Sequence, residues 1–326
     1  MPNRASFLRR AAAALLTLAT AAAVQAFPLA GKPVRIIVPF PPGGQTDIQA
    51  RMMAQRMQAA LGVPVLVDNK PGASTILGTQ ELVRSAPDGH TLLYTISVTA
   101  AQNPHLFSKL PYDAAKDLTP VMFVARSSTV LTVPAAAPYS TLRELVAYAK
   151  ANPGKLNFGS FSLGSTSHLV AEMLKQQAGI DMVHVPFKGS ADATVALIGN
   201  HVQLLFDGPT TAINNAKAGK VKMLAVTDSK PYAALGNLPT MAEAGVPGID
   251  VPGGMQLFGP GRMPADVVAK VNAAVAAALK SPEVEKLFID GGTEILASSA
   301  EEHARSVAEQ SERWGAVIRK LGIKLD

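Results

Sequence analysis

The chain has no cysteine, one tryptophan and only 5% aromatic residues. Without thiols there are no disulfides, zinc–thiolate sites or thiol catalysis, and no lipid anchor, which needs an N-terminal cysteine. No two of the six histidines stand at metal-ligand spacing, so neither a metal nor a cofactor is expected. The net charge of +6 is not blocked, and basic residues do not interleave with aromatics, which argues against a nucleic-acid partner. Beyond residue 26 no apolar run reaches the ~20 residues of a bilayer span. The mature protein is therefore expected not to be membrane-embedded. Heptads are absent too, so a monomer is expected.

The N-terminus does carry a targeting pattern. Arg4, Arg9 and Arg10 precede the uncharged apolar stretch Ala11 to Val24, and Val24-Gln25-Ala26 is an A-x-A-like cleavage site. Cleavage after Ala26 would leave Phe27 first. Arg9-Arg10 could be read as a twin-arginine signal, but Ala11 and Ala12 follow where a bulky apolar residue is wanted, so the general secretory route is favoured. An uncleaved membrane anchor is the lesser alternative.

Val34 to Gln58 is the most informative stretch. Val34, Ile36, Ile37 and Val38 predict a buried strand, which Pro39, Pro41 and Pro42 stop. Gly43 and Gly44 can bring bare backbone close to a ligand. Ile48, Met52, Met53, Met57 and Leu61 recur at helical spacing. The first turn of such a helix offers unpaired N–H groups and the positive dipole end to an anion. A plain βα connection explains one such turn as well.

Strand and helix signals alternate along the whole chain, which predicts α/β layers with largely parallel sheets. Thr141-Leu142-Arg143-Glu144 is a capping box. Pro264 to Lys280 and Glu301 to Leu321 read as two C-terminal helices, with Trp314 as a packing anchor. No low-complexity linker separates two halves. That predicts two domains joined by crossing strands near Val124 to Val133 and Ile249 to Phe258: residues 27–125 with 250–326, and residues 126–249.

Asn157 to Leu174 repeats the strand, Gly/Ser turn and capped helix. Ser160, Ser162, Ser165, Thr166 and Ser167 crowd the turn, and Gly159 and Gly164 leave backbone N–H groups accessible. Two such helix starts across a cleft would hold an anionic ligand. Two ordinary turns remain the alternative. Strand ends face the crevice in open α/β sheets, which makes Asp207, Ser97 and Asn103 further candidates. A turn-capping role is as good a reading of Asp207.

VRIIVPFPPGGQTDIQAR, LGVPVLVDNKPGAS, SAPDGHTLL, LPYD, VPFKGSADA, GKVKMLAVTDSK and LPTMAEAGVPG, with the Trp314 helix, resemble the Bug/TctC family over the whole mature chain. These are extracytoplasmic substrate-binding proteins of tripartite tricarboxylate transporters. The resemblance implies a two-domain periplasmic binding protein of the Venus-flytrap, type II-like fold, with a ligand cleft between the domains. It implies a periplasmic receptor, not an enzyme. Its ligand would be a small carboxylate: a di- or tricarboxylate, an acidic amino acid or an aromatic acid. Its partners would be membrane permease subunits or, alternatively, a sensor kinase. Carried over by position, Phe40, Gly43, Gly44, Thr46 and Asp47 form one half of the clasp. Ser160, Gly164, Ser165, Thr166 and His168 form the other.

Two departures stand out. The family usually has PGAGG where Ala73 is followed here by Ser74 and Thr75, whose hydroxyls are expected to face the cleft. It often has Trp where this chain has Met255-Gln256. Asp47 beside a bound carboxylate would repel it unless water, a proton or a ligand ammonium intervened, so it either binds such a group or steadies the helix start. His168 reads as a ligand donor or as a local hydrogen-bond partner, His184 as structural and Lys188 as a solvated surface residue. A remote rival is a secreted serine hydrolase. Gly159-Ser160-Phe161-Ser162-Leu163-Gly164 nearly matches G-x-S-x-G, and Ser165 with His168 could be called a dyad.

Overall fold

A computed structural model describes residues 27–229 and 232–325 of the chain. The expected leader, residues 1–26, lies outside the described residues.

The chain begins with β1 (Val34–Val38), α1 (Gln45–Leu61), β2 (Val65–Asn69), α2 (Ile76–Val83) and β3 (Thr91–Ile96). Ile36 and Ile37 point to opposite faces of β1, yet both are fully buried, because helices cover both sides of the sheet. The stripe that α1 buries is Ala50, Met53, Ala54 and Met57, while Ile48 is exposed. A π-helical turn (Val98–Gln102), α3 (Asn103–Leu106) and α4 (Ala114–Asp117) lead to β4 (Leu118–Ser127).

The second body comprises β5 (Val130–Pro134), α5 (Leu142–Ala151), β6 (Leu156–Ser160), α6 (Thr166–Ala178), β7 (Met182–Pro186), α7 (Ser190–Ile198), β8 (Leu204–Asp207), α8 (Pro209–Lys217) and β9 (Val221–Val226). The capping box forms at Thr141 and Glu144. The chain then returns through β10 (Gly253–Pro260), α9 (Ala265–Leu279), α10 (Pro282–Asp290), β11 (Thr293–Ile295) and α11 (Ala300–Leu321).

Two mixed sheets result, of order β11-β4-β10-β3-β1-β2 and β7-β6-β8-β5-β9. The expectation of largely parallel sheets fails at the crossings. β10 runs antiparallel to β3 and β4, and β5 runs antiparallel to β8 and β9. A strand that arrives straight from the other sheet, without a crossover helix, is free to insert antiparallel.

The crossings are tied to each other. Only Ser128 and Thr129 separate β4 in one sheet from β5 in the other. Thr129 N donates to Thr227 Oγ1 at 3.0 Å, and Val251 N donates to Thr227 O at 2.8 Å. Arg126 reaches Asp228 at 2.6 Å. A third link is α11: Val307 packs on the core beside β4 and β10, whereas Trp314 and Ile318 belong to the core of the second sheet.

His303 in α11 is fully buried, and neither ring nitrogen has a partner among the described residues. Its ring lies 4.7 Å from that of Phe258. Burial pushes its pKa down to about 3. A histidine in the unfolded chain titrates near ~6.5. The unfolded state therefore binds the extra proton, and stability is lost as pH falls from ~6.5 towards the folded value. His303→Leu is expected to raise stability by about 1 kcal/mol at neutral pH and by more at pH 5. Urea titrations at both pH values test this; an increment that does not grow on acidification would contradict it.

Candidate functional site

Four helices begin around one cavity of about 80 Å³ between the two sheets. Gly44 and Thr46 at the start of α1, Thr166 of α6, Ser190 of α7 and Gly208 before α8 all line it. Gly44, Gly189 and Gly208 occupy the N-cap positions of α1, α7 and α8, and none of these helices has a side-chain cap. Their first N–H groups and dipoles are thus directed at the enclosed space. No lysine or arginine among the described residues lines it. The walls are largely apolar, built by Phe40, Ile96, Phe161, Val251 and Met255. Such a site attracts an anion through oriented dipoles instead of a salt bridge.

The polar groups divide by role. Thr166 Oγ1 accepts from Gln102 Nε2 at 2.8 Å, so its own hydrogen is available to a ligand. Ser97 donates to Gln310. Gln45 Oε1 and Ser128 Oγ are buried in the lining without partners among the described residues. Asp207 is 2% exposed and accepts from Ser190 Oγ, Thr194 Oγ1 and Gly208 N. Burial pushes its carboxyl up to about 6, against the pull of those three donors.

The bodies touch around the cavity. Thr210 Oγ1 donates to Gly291 O at 3.0 Å, and Ser74 Oγ donates to Leu163 O. A Cβ at Gly189 would stand 2.7 Å from Pro41 Cδ.

Of the residues singled out from the sequence, Phe40, Gly44, Thr46, Ser97, Thr166 and Asp207 line the cavity. Gly43, Asp47, Thr75, Ser160, Gly164, Ser165 and His168 sit behind it. Asp47 accepts from Gly43 N and Asn69 Nδ2 and pairs with Arg51 Nε at 2.9 Å. Burial opposes its charge, but these donors outweigh burial and hold the carboxyl below its usual range. The carboxylate fastens the glycine turn to the first turn of α1.

Ala73, Ser74 and Thr75 have φ of 45°, 50° and 75°, left-handed backbone that suits the glycines usual in the family. Neither hydroxyl lines the cavity. Ser74 spans the bodies, and Thr75 Oγ1 accepts from Thr99 Oγ1 at 2.9 Å. Asn103 donates to Ser74 O behind them.

Ser165 caps α6, and its hydroxyl donates to Ser162 O. His168 Nδ1 accepts from Gly164 N, and the ring stacks on His184 at 3.9 Å. Burial, then the nearby Lys175 charge, pushes His168 down to about 4, so at neutral pH it is an uncharged brace. Ser165 and His168 thus form no nucleophile–base pair. Ser160 Oγ does lie 2.7 Å from His184 Nε2, but no acid orients that ring among the described residues.

Sequence reasoning missed Gln45, Ser128, Thr129, Ser190 and Gly254, all in the lining. Ser190 had a signal: VPFKGSADA is a third strand, glycine turn and helix. Ser128 and Thr129 are a polar break in an apolar run, at the crossing.

Two α/β bodies joined by crossing strands and closed over a cavity of helix starts define a solute-binding protein of the periplasmic type. The chain belongs to the tripartite tricarboxylate transporter receptor family, which it matches over residues 49–323. It is 32% identical to protein BugT of Bordetella pertussis over 95% of this chain and 96% of that one. A Rhodopseudomonas palustris protein solved with adipate is 33% identical, covers 90% of this chain and 98% of its own, and superposes with a TM-score of 0.86. MatC of the same organism, with bound malate, is 32% identical over 88% and 98%, at a TM-score of 0.83.

Proposed function

We propose that the protein is a periplasmic receptor that captures a small carboxylate between its two bodies and delivers it to the membrane subunits of a tripartite transporter. The carrying observation is the cavity lined by the starts of α1, α6, α7 and α8, with no cationic side chain among the described residues of its lining. Closure would exclude water and strengthen every N–H···O contact to the ligand. The malate and adipate complexes of relatives support the ligand class. In this reading the leader is cleaved after Ala26, the receptor is a monomer, and residues 126–249 form the body that moves against 27–125 and 250–326.

A carboxylate panel tested by thermal shift on the mature protein checks it. A true ligand at ~100 times its Kd adds ~2.7 kcal/mol of stability. A broad panel of aliphatic and aromatic carboxylates that left the melting temperature unmoved would overturn the carboxylate reading.

A further inference from the structure

The starts of α1, α7 and α8 converge on one spot. Gln45 of α1 lies against Gly208, where a Cβ would stand 2.2 Å from its Oε1, and Pro41 lies against Gly189. Asp207 is in the wall of the same cavity of about 80 Å³. An anion received by these helix starts therefore lies close to the Asp207 carboxylate. Among the described residues no lysine or arginine in the lining offsets the two charges. Like charges in a water-poor space are costly, and a proton on one of them removes the cost.

The hydrogen bonds around Asp207 accommodate that proton without moving a side chain. In the ionised state Oδ1 accepts from Ser190 Oγ at 2.5 Å and Gly208 N at 2.8 Å, and Oδ2 accepts from Thr194 Oγ1 at 2.8 Å. Ser190 has then spent its only hydrogen on Asp207 and can only accept from a ligand. A proton on Oδ1 reverses this bond. Oδ1 donates to Ser190 Oγ and still accepts from Gly208 N, Oδ2 keeps Thr194, and the Ser190 hydrogen is released to a ligand oxygen. Burial already favours the neutral carboxyl, pushing it up to about 6 against the three donors. A second anion ~6 Å away adds about two pH units at an effective dielectric constant of ~20.

The elements packed around Asp207 bring no other group that does this work. The paired strands β5 and β6 carry no titratable residue. Lys188 and Asp192 beside the start of α7 and Lys217 in the last turn of α8 are exposed. On α6, Lys175 pairs with Glu172 at 3.1 Å. Burial holds His168 and His184 uncharged. Asp47 of α1 is held by Gly43, Asn69 and Arg51.

We infer that the protein captures its carboxylate together with one proton, which Asp207 takes up and Ser190 relays as a hydrogen bond to the ligand. This rests on the carboxylate-receptor reading and makes capture pH-dependent: affinity is highest in acid and is lost as pH rises and the proton must be drawn from an emptier solution.

The test is calorimetric titration of the mature protein with the tightest-binding member of the carboxylate panel, succinate, malate, adipate and benzoate among them. It is run in phosphate and in Tris, whose ionisation enthalpies differ. Such ligands are already ionised at pH ~7.5, so a proton taken up goes to the protein. At least about half a proton per ligand is expected, with affinity falling at least about tenfold from pH 6 to pH 8. Asp207→Asn, neutral and nearly isosteric, is expected to take up less than about a fifth of a proton and to hold its affinity within about threefold over that range. Ser190→Ala should still take up the proton but bind about 2- to 10-fold more weakly. An infrared difference band of a protonated carboxyl should appear on binding to the wild type and be missing with Asp207→Asn. The wild-type uptake and band decide the matter even if that variant folds poorly. Binding without proton uptake would overturn the inference and leave the carboxylate reading standing. So would an Asp207→Asn protein that kept the uptake, and a Ser190→Ala protein of unaltered affinity would overturn the relay. Failure of the whole carboxylate panel to bind would bring down the carboxylate reading itself, and this inference with it.

Discussion

Gly189→Ser is expected to weaken ligand binding by about 10- to 100-fold while leaving the unliganded fold as stable as before. The backbone at Gly189 is extended, with φ of −177°, so any residue fits it. Serine is at least as good an N-cap as glycine, so α7 does not suffer. What the new Cβ meets belongs to the other body: Pro41 Cδ at 2.7 Å and Cγ at 2.9 Å. A proline ring has little freedom to move aside. Overpacking of this kind costs ~1–3 kcal/mol, and it falls only on the closed state. Apparent affinity drops by the same factor as the population of the closed state. Calorimetry of ligand binding, beside urea unfolding without ligand, separates the two effects. Unaltered affinity would show that Pro41 and Gly189 do not meet in the liganded protein.

The second large effect lies at the crossings. The Asp228 side chain is fully buried and accepts from Arg126 at 2.6 Å and from Tyr232 Oη at 2.7 Å. Glu294 also lies near Arg126, at 3.9 Å. Removing one partner of a buried ion pair costs ~3–5 kcal/mol. Arg126 is 30% exposed, so water relieves part of that loss. Asp228→Ala is therefore expected to lose about 3 kcal/mol, the lower end of that range. Adding Arg126→Ala should restore part of it in a double-mutant cycle, because the stranded charge is then gone. Urea unfolding measures both. A loss below about 1 kcal/mol would mean that the pair is no more than a surface contact.

Strands and helix order were legible because they rest on local signals. The β-branched runs, the Thr141 capping box and the glycine turns each fix their own few residues. Ile48 shows where such signals stop. It has helical spacing, yet the face that α1 buries is set by β1 and α9, and those contacts are not written in the helix itself. The site divides in the same way. Glycine turns announced the helix starts, but which side chains turn inwards depends on the partner body. Asp47 and Asp207 look alike in sequence, each an acid beside a glycine turn. Arg51 and Asn69 draw one away from the cavity, whereas Ser190 and Thr194 hold the other at its edge. Ser74 and Thr75 depart from the family pattern in a visible way, but their left-handed backbone and the reach of Ser74 to Leu163 follow from closure.

Trp314 is the chain's only tryptophan, and it sits where α11 leaves the core of one sheet for that of the other. In the proposed closure, rotation of the two bodies would change the surroundings of that indole. Its ultraviolet emission would then serve as a built-in optical gauge of closure, readable in stopped flow on the wild-type chain without any attached dye.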